Sequence, residues 1–177
     1  MNQTTFAFRL AKLLVVTGVG LLTFLVAFNN MTDYFSSYYF VEHVMKMDTT
    51  FSGNKLIYRS VNAVVIYHLA YILIIVLVAL TAYCCLRGAW NMYRNINRKV
   101  PDFQSAKLWA IYGLTLGIVI WFIVFQAIAG EWFVMWQSLK WNGLYSADRI
   151  VTFIGISLIM LMLKEDELKV LTDGDTR

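Results

Sequence analysis

Cysteine, proline, histidine and charge are all scarce in this 177-residue chain, and each shortage removes a class of protein. The two cysteines, Cys84 and Cys85, are adjacent, so they cannot staple distant loops and no disulfide scaffold rests on them. A vicinal bridge or palmitoylation is conceivable for such a pair, but plain packing is the first reading. The single proline, Pro101, leaves long stretches free to stay helical. Only two histidines, His43 and His68, are present, and no Cys/His spacing suits a metal. Nor does the sequence contain a nucleophile elbow, a phosphate-binding glycine loop or paired catalytic carboxylates, so it reads as a non-enzyme without a cofactor.

Charged residues make up 15% of the chain while hydrophobic residues make up 59%, far from the balance of a water-soluble domain. Stretches without Asp, Glu, Lys or Arg run from Leu13 to Thr32, Ser60 to Leu86, Leu108 to Gly130 and Ile150 to Leu163. The first three exceed or match the roughly 20 residues that a helix needs to cross a hydrocarbon core of about 30 Å. The fourth is short and must borrow residues from Trp141 to Arg149. Strict alternation of apolar and polar residues is absent, and backbone groups in lipid must be satisfied internally, so the runs are helices. The fold class is an all-α membrane protein, a bundle of four transmembrane helices in one domain, 1–177. The spans fall at about 12–32, 60–87, 107–130 and 146–164, with outer loops at 33–59 and 131–145. The exit Ala27-Phe28-Asn29-Asn30 does not suit signal cleavage, so the first span reads as an uncleaved anchor. Lys164 to Leu168 spells KEDEL but is internal and carries no retrieval meaning.

Orientation follows from the basic residues. Ten of the 15 lie before the first span, between the second and third spans (Arg87, Arg94, Arg98, Lys99, Lys107) or in the tail; five lie in the other two loops. Both termini are then cytoplasmic. The same bias explains the net charge of +4, and no nucleic-acid partner is expected.

The first outer loop carries Tyr34, Phe35, Tyr38, Tyr39, Phe40, Phe51 and Tyr58, too much aromatic surface to hang in water. An ordered loop is expected, with a turn at Gly53-Asn54. The second helix is expected to continue past the membrane to Pro101, with Asp102 capping the third. Gly18 and Gly20, Gly113 and Gly117, and Thr152, Gly155 and Ser157 offer close helix contacts, read as packing within the bundle rather than as a dimer face.

Three polar groups stand out. Trp132 and Trp136 are four apart and would share a helix face, with Gln137, Trp141 and Asn142 following; an outer aromatic belt or a recognition surface would use them. Glu131, Asp148, Arg149 and Asp33 lie at span ends, and Arg149 is expected to pair with Glu131 or Asp33 as a pin closing the bundle. His68 is placed about 13 Å inside the second span, neutral and hydrogen-bonded near Gln126 or Tyr71.

The chain resembles the bacterial predicted small integral membrane proteins of the domain of unknown function 2165 family. The resemblance rests on Phe28-Asn-Asn-Met-Thr-Asp-Tyr34, on His43-Val-Met-Lys-Met-Asp48-Thr-Thr-Phe51, on Gly130-Glu-Trp-Phe-Val-Met-Trp-Gln-Ser138, on Trp141-Asn-Gly143 and on Ala147-Asp-Arg149. It implies a multi-pass protein of the bacterial inner membrane, brings no activity with it, and places the distinctive residues on the outer side. The functional expectation is a non-enzymatic interaction protein, an accessory subunit or scaffold that presents an aromatic periplasmic surface to a membrane-protein partner in the lipid bilayer. An immunity protein against a pore-forming toxin, on topology alone, and a transporter or electron-transfer subunit are the alternatives. A homo-oligomer is left open.

Overall fold

A computed structural model describes residues 3–164, and every regular element among them is helical. The tail beyond Glu167, expected to be short and frayed, lies outside the described residues. Six α-helices are present: α1 (Gln3–Thr32), α2 (Tyr34–Lys46), α3 (Val64–Arg94), α4 (Val100–Ala106), α5 (Leu108–Ile118) and α6 (Leu144–Met162). A π-helical segment, Val119–Trp132, continues α5, and short 3-10 turns occupy Ile57–Arg59 and Met135–Gln137. Four rods are long and apolar enough to cross a membrane: Gln3–Thr32, Val64–Arg94, Val100–Trp132 and Leu144–Met162. At 1.5 Å per residue α1 and α3 are each about 45 Å long, so both outrun a hydrocarbon core of about 30 Å.

The helices depart from the sequence reading at their ends. α3 starts at Val64 rather than at Ser60, and it stops at Arg94, several residues short of Pro101. Pro101 instead sits in the first turn of α4, where its missing N–H costs nothing. Asp102 does not cap that helix; Lys99 holds the capping position without a side-chain bond, and Asp102 stands within the first turn, where a negative charge suits the helix dipole.

The bundle is held where helices approach through small residues. α3 lies between α1 and α5. A methyl group on Gly88 of α3 would stand 2.3 Å from the backbone nitrogen of Ala110 in α5, and one on Gly113 would stand 2.6 Å from Cys85 Sγ. Gly20 makes the matching approach of α1, 2.8 Å from Leu86. Gly117 faces Ile154 of α6. Gly18 and Gly155, expected to make contacts of this kind, have nothing within 4 Å. Cys85 is fully buried in the α3–α5 seam, so one of the paired thiols packs; both are free.

At the end of the bundle that holds the start of α1, three buried cations meet the carbonyls that helices leave unpaired. Arg9 donates to the carbonyls of Ile96 at 2.8 Å and Arg98 at 2.7 Å and lies over the Phe103 ring. Lys12 donates to Leu163 O at 2.5 Å, and Lys107 to Leu161 O at 3.0 Å and Gln104 Oε1 at 2.7 Å. Positive charge at a helix C-terminus is favourable, and the last carbonyls of α6 have no intrahelical donor. Residues that serve only as an orientation signal in the sequence thus also close this basic end.

The two kinds of glycine give substitutions of opposite consequence. Gly88→Ala forces the α3 and α5 backbones apart and should cost about 1–3 kcal/mol, while Gly18→Ala should stay within about 0.5 kcal/mol of the parent. Thermal unfolding of the two variants in mild detergent checks the difference; equal melting temperatures would remove the α3–α5 seam as the controlling contact.

Candidate functional site

The opposite end carries a folded cap made of α2, the segment 47–63 and the segment 133–143. α1 and α2 are separated by a break at Asp33, whose amide still bonds Asn29 O at 2.8 Å. α2 then lies along α3. It ends at Met47 in the left-handed conformation (φ 55°), and Gly53 (φ 80°) makes the expected turn, with Asn54 N bonded to Phe51 O at 3.1 Å. Val61 N bonds Met45 O at 2.9 Å, which ties the strand-like exit of the loop back to α2.

Tyr34 and Tyr38 of α2 close on His68 and Tyr71 of α3. The Tyr34 hydroxyl is 2.8 Å from His68 Nδ1, and the Tyr38 ring stacks on the imidazole with centroids 4.3 Å apart. Tyr71 donates to Asn30 O at 3.3 Å, bringing the end of α1 into the same cluster. Burial pushes the Tyr38 hydroxyl above its ordinary pKa, with the Glu42 carboxylate adding to the shift. His68 therefore has Tyr71 close by as expected, but Gln126 does not reach it: Gln126 donates to Asp148 Oδ1 at 2.8 Å. Because α3 begins at Val64, His68 is in the second turn of the helix, shallower than the run of uncharged residues suggests.

A second group joins the two cap segments, 47–63 and 133–143. His43 Nδ1 contacts both carboxylate oxygens of Asp48, at 2.8 and 3.0 Å, while its ring lies parallel to Trp141 at 4.7 Å. Thr49 and Ser138 hydroxyls meet at 2.7 Å, and Ser138 Oγ also accepts the Trp141 amide at 2.9 Å. Phe51 N donates to Gln137 Oε1 at 3.3 Å, and Asn142 Oδ1 accepts the Leu144 amide at 3.1 Å. Ser138 is buried, so its bonds to Thr49 and Trp141 lie on the inner side of this group, while the His43–Asp48, Phe51–Gln137 and Asn142–Leu144 bonds are exposed. Between them runs a strained corner: Val134, buried and β-branched, is held at φ 45°, a conformation that such residues rarely adopt.

The pin expected around Arg149 is not formed. Arg149 is exposed and makes no ion pair with Glu131 or Asp33; the ion pairs among the described residues include His43–Asp48 and Lys46–Glu42. The exposed position lets the guanidinium reach headgroups, and the nearby carboxylate, Asp148, is taken by Gln126. Arg59 does the closing instead, stacking over Trp132 at 4.8 Å and donating to Trp132 O at 3.4 Å. Glu131 contributes only its carbonyl, to Arg59 at 3.5 Å. Trp132 and Trp136 do not share a helix face, because the π-helical segment stops at Trp132 and Trp136 belongs to the 3-10 turn beyond Val134. Both rings are exposed. Among the described residues no three His, Cys, Asp or Glu side chains converge as a metal set.

The sequence reading missed Thr49, Ser138 and Arg59. Ser138 was within reach, as the last residue of the segment beginning at Gly130; its partner Thr49 is 89 positions away and has no local signal.

Four apolar rods, closed at one end by buried cations and at the other by an ordered aromatic cap, define a small multi-pass integral membrane protein. The chain belongs to the family of predicted small integral membrane proteins (DUF2165), which matches residues 8–164. No curated protein and no solved structure matches it.

The lock places stability at Ser138 rather than at Arg149. Ser138→Ala strands the Trp141 amide and the Thr49 hydroxyl and should cost about 1–3 kcal/mol, whereas Arg149→Ala should stay within about 0.5 kcal/mol. Melting temperatures of the two purified variants decide the order, and the reverse order would return the closing role to Arg149.

Proposed function

We propose that this chain is a non-enzymatic interaction protein of the bacterial inner membrane, with cytoplasmic termini and a periplasmic cap that docks on a membrane-protein partner. One observation carries the reading: the cap is fixed from within by paired side chains, yet it leaves large apolar residues outside. Leu139 is fully exposed, and Phe51 and Trp136, exposed by 55% and 46%, meet edge to face at 5.9 Å. Rigid, exposed aromatic and aliphatic side chains are the ordinary material of binding hot spots, since they bring area at little cost in ordering. Tyr58 and Trp132, flanking Arg59, are the part of this surface that suits the lipid headgroups. The orientation rests on the concentration of basic residues at the opposite end.

Two measurements test the reading separately. A Leu139→Cys variant lacking Cys84 and Cys85 should react with a membrane-impermeant maleimide in intact spheroplasts; labelling only after lysis would invert the topology. In mild-detergent extracts at native expression, a stoichiometric partner should co-purify with the parent and be lost from Trp136→Ala/Leu139→Ser, at unchanged melting temperature. Retention of the partner by the variant, or recovery of the chain alone, would overturn the docking role. A toxin as that partner would make this an immunity protein.

A further inference from the structure

Between the cap and the apolar core lies a chamber of about 520 Å³, bounded by α1, α2, α3, the π-helical segment, the segment 140–143 and the start of α6. Its floor is apolar: Val26, Ile74, Trp121 and Phe125. Val26 is six residues, or about 9 Å, back from the end of α1, so this floor lies within the spans. Hydroxyl and amide groups of Asn30, Ser36, Asn142 and Ser146 form the rim. A wholly apolar side pocket of about 130 Å³ adjoins it between α2, α3 and the π-helical segment, and the two share Phe40, Val41, Ile74 and Phe125 as a common wall. Of the described residues lining either space, Lys140 alone is charged. Its ammonium sits at the rim, 5.0 Å over the Trp141 ring.

We infer that this chamber binds a single-chain amphiphile with an anionic headgroup, the chain on the Trp121 floor and the head at Lys140. The volume falls within the range of about 300–1,000 Å³ usual for small-molecule sites, and apolar walls with a few polar groups at one end are their usual chemistry. A polar rim over an apolar floor matches a molecule with one wet end. A cation that is the one charged group among the described lining residues sets the sign of that end. The inference stands apart from the docking surface, because Phe51, Trp136 and Leu139 do not line the chamber.

The test uses the full chain in a maltoside detergent, with bound ligand counted by native mass spectrometry. Palmitate, lysophosphatidylglycerol and dodecyltrimethylammonium serve as probes. One equivalent of an anionic probe should be retained and the cationic probe should not. Retention of palmitate alone would identify a fatty-acid site, of lysophosphatidylglycerol alone a phospholipid-derived one, and of both a site for the shared chemistry. Lys140→Glu, an exposed substitution, should weaken anionic binding at least tenfold, and Ser36→Trp, which fills the rim, should abolish it. Should Ser36→Trp fail to fold, Lys140→Glu decides alone. Graded multiple adducts, equal retention of the cationic probe, or affinity unchanged in Lys140→Glu would each overturn the inference.

Discussion

The backbone contact between α3 and α5 at Gly88 and Ala110 is the constraint on which the rest of the bundle depends. In lipid, apolar side chains gain nothing by leaving one apolar medium for another, so helices must associate through close packing. A methyl group at Gly88 would stand 2.3 Å from a backbone atom, which cannot swing aside as a side chain can. Gly113 against Cys85 repeats the approach three residues further along α5 and three residues back along α3, one turn on in the same seam. With α3 and α5 fixed this closely, α1 seats through Gly20 and α6 through the Ile154–Gly117 contact. The thiol of Cys85 is part of this seam, which leaves it no room for redox or lipid chemistry.

The two ends of the bundle solve different problems. At the basic end the helices stop with carbonyls facing inward, and Arg9, Lys12 and Lys107 supply donors carrying the charge that a helix C-terminus favours. At the cap end the need is to hold α2 and the two loop segments over the helix ends. Side-chain pairs do this, the neutral Thr49–Ser138 and Tyr34–His68 bonds together with the His43–Asp48 and Lys46–Glu42 ion pairs. The second arrangement leaves open volume beneath it, since α2 leans on α3 and the space between α2, α3, the π-helical segment and the start of α6 stays unfilled.

How far the sequence could be read follows from the range of each interaction. The four spans were legible because their cause is local: apolar length against bilayer thickness. The order in the loop after the first span was legible in part for a similar reason: α2 gives Tyr34, Tyr38 and Phe40 cover, while Phe35, Tyr39, Phe51 and Tyr58 stay exposed. Pairings between distant segments were not legible. Arg149, Glu131 and Asp33 looked complementary because each sits near a span end, but their directions around the helices cannot be read from one chain, and Arg149 points outward. Gly88 carried no motif, whereas Gly18 had a neighbouring glycine and no contact. Trp132 and Trp136 seemed to share a face only if the helix continued, and the left-handed corner at Val134, which no glycine announces, ends it.

Phe40 links the cap to the space beneath it. Its ring contacts Phe125 of the π-helical segment at 6.4 Å and Trp141 at 6.3 Å, and it lines both the chamber and the apolar side pocket. Its position depends on Gly143, where a methyl group would stand 2.9 Å from the ring edge. π-helical winding is uncommon and gathers at functional sites; here it carries Trp121 and Phe125, two of the four floor residues. The same indole that meets Phe40 also stacks on His43, which holds Asp48 and so the segment 47–63. A ligand that moved Phe40 would therefore press on Trp141 and, through it, on the lock between the two cap segments. The chamber and the exposed Phe51–Trp136–Leu139 patch share no residue, and the path from one toward the other runs from Phe40 through Trp141 and His43 to Asp48.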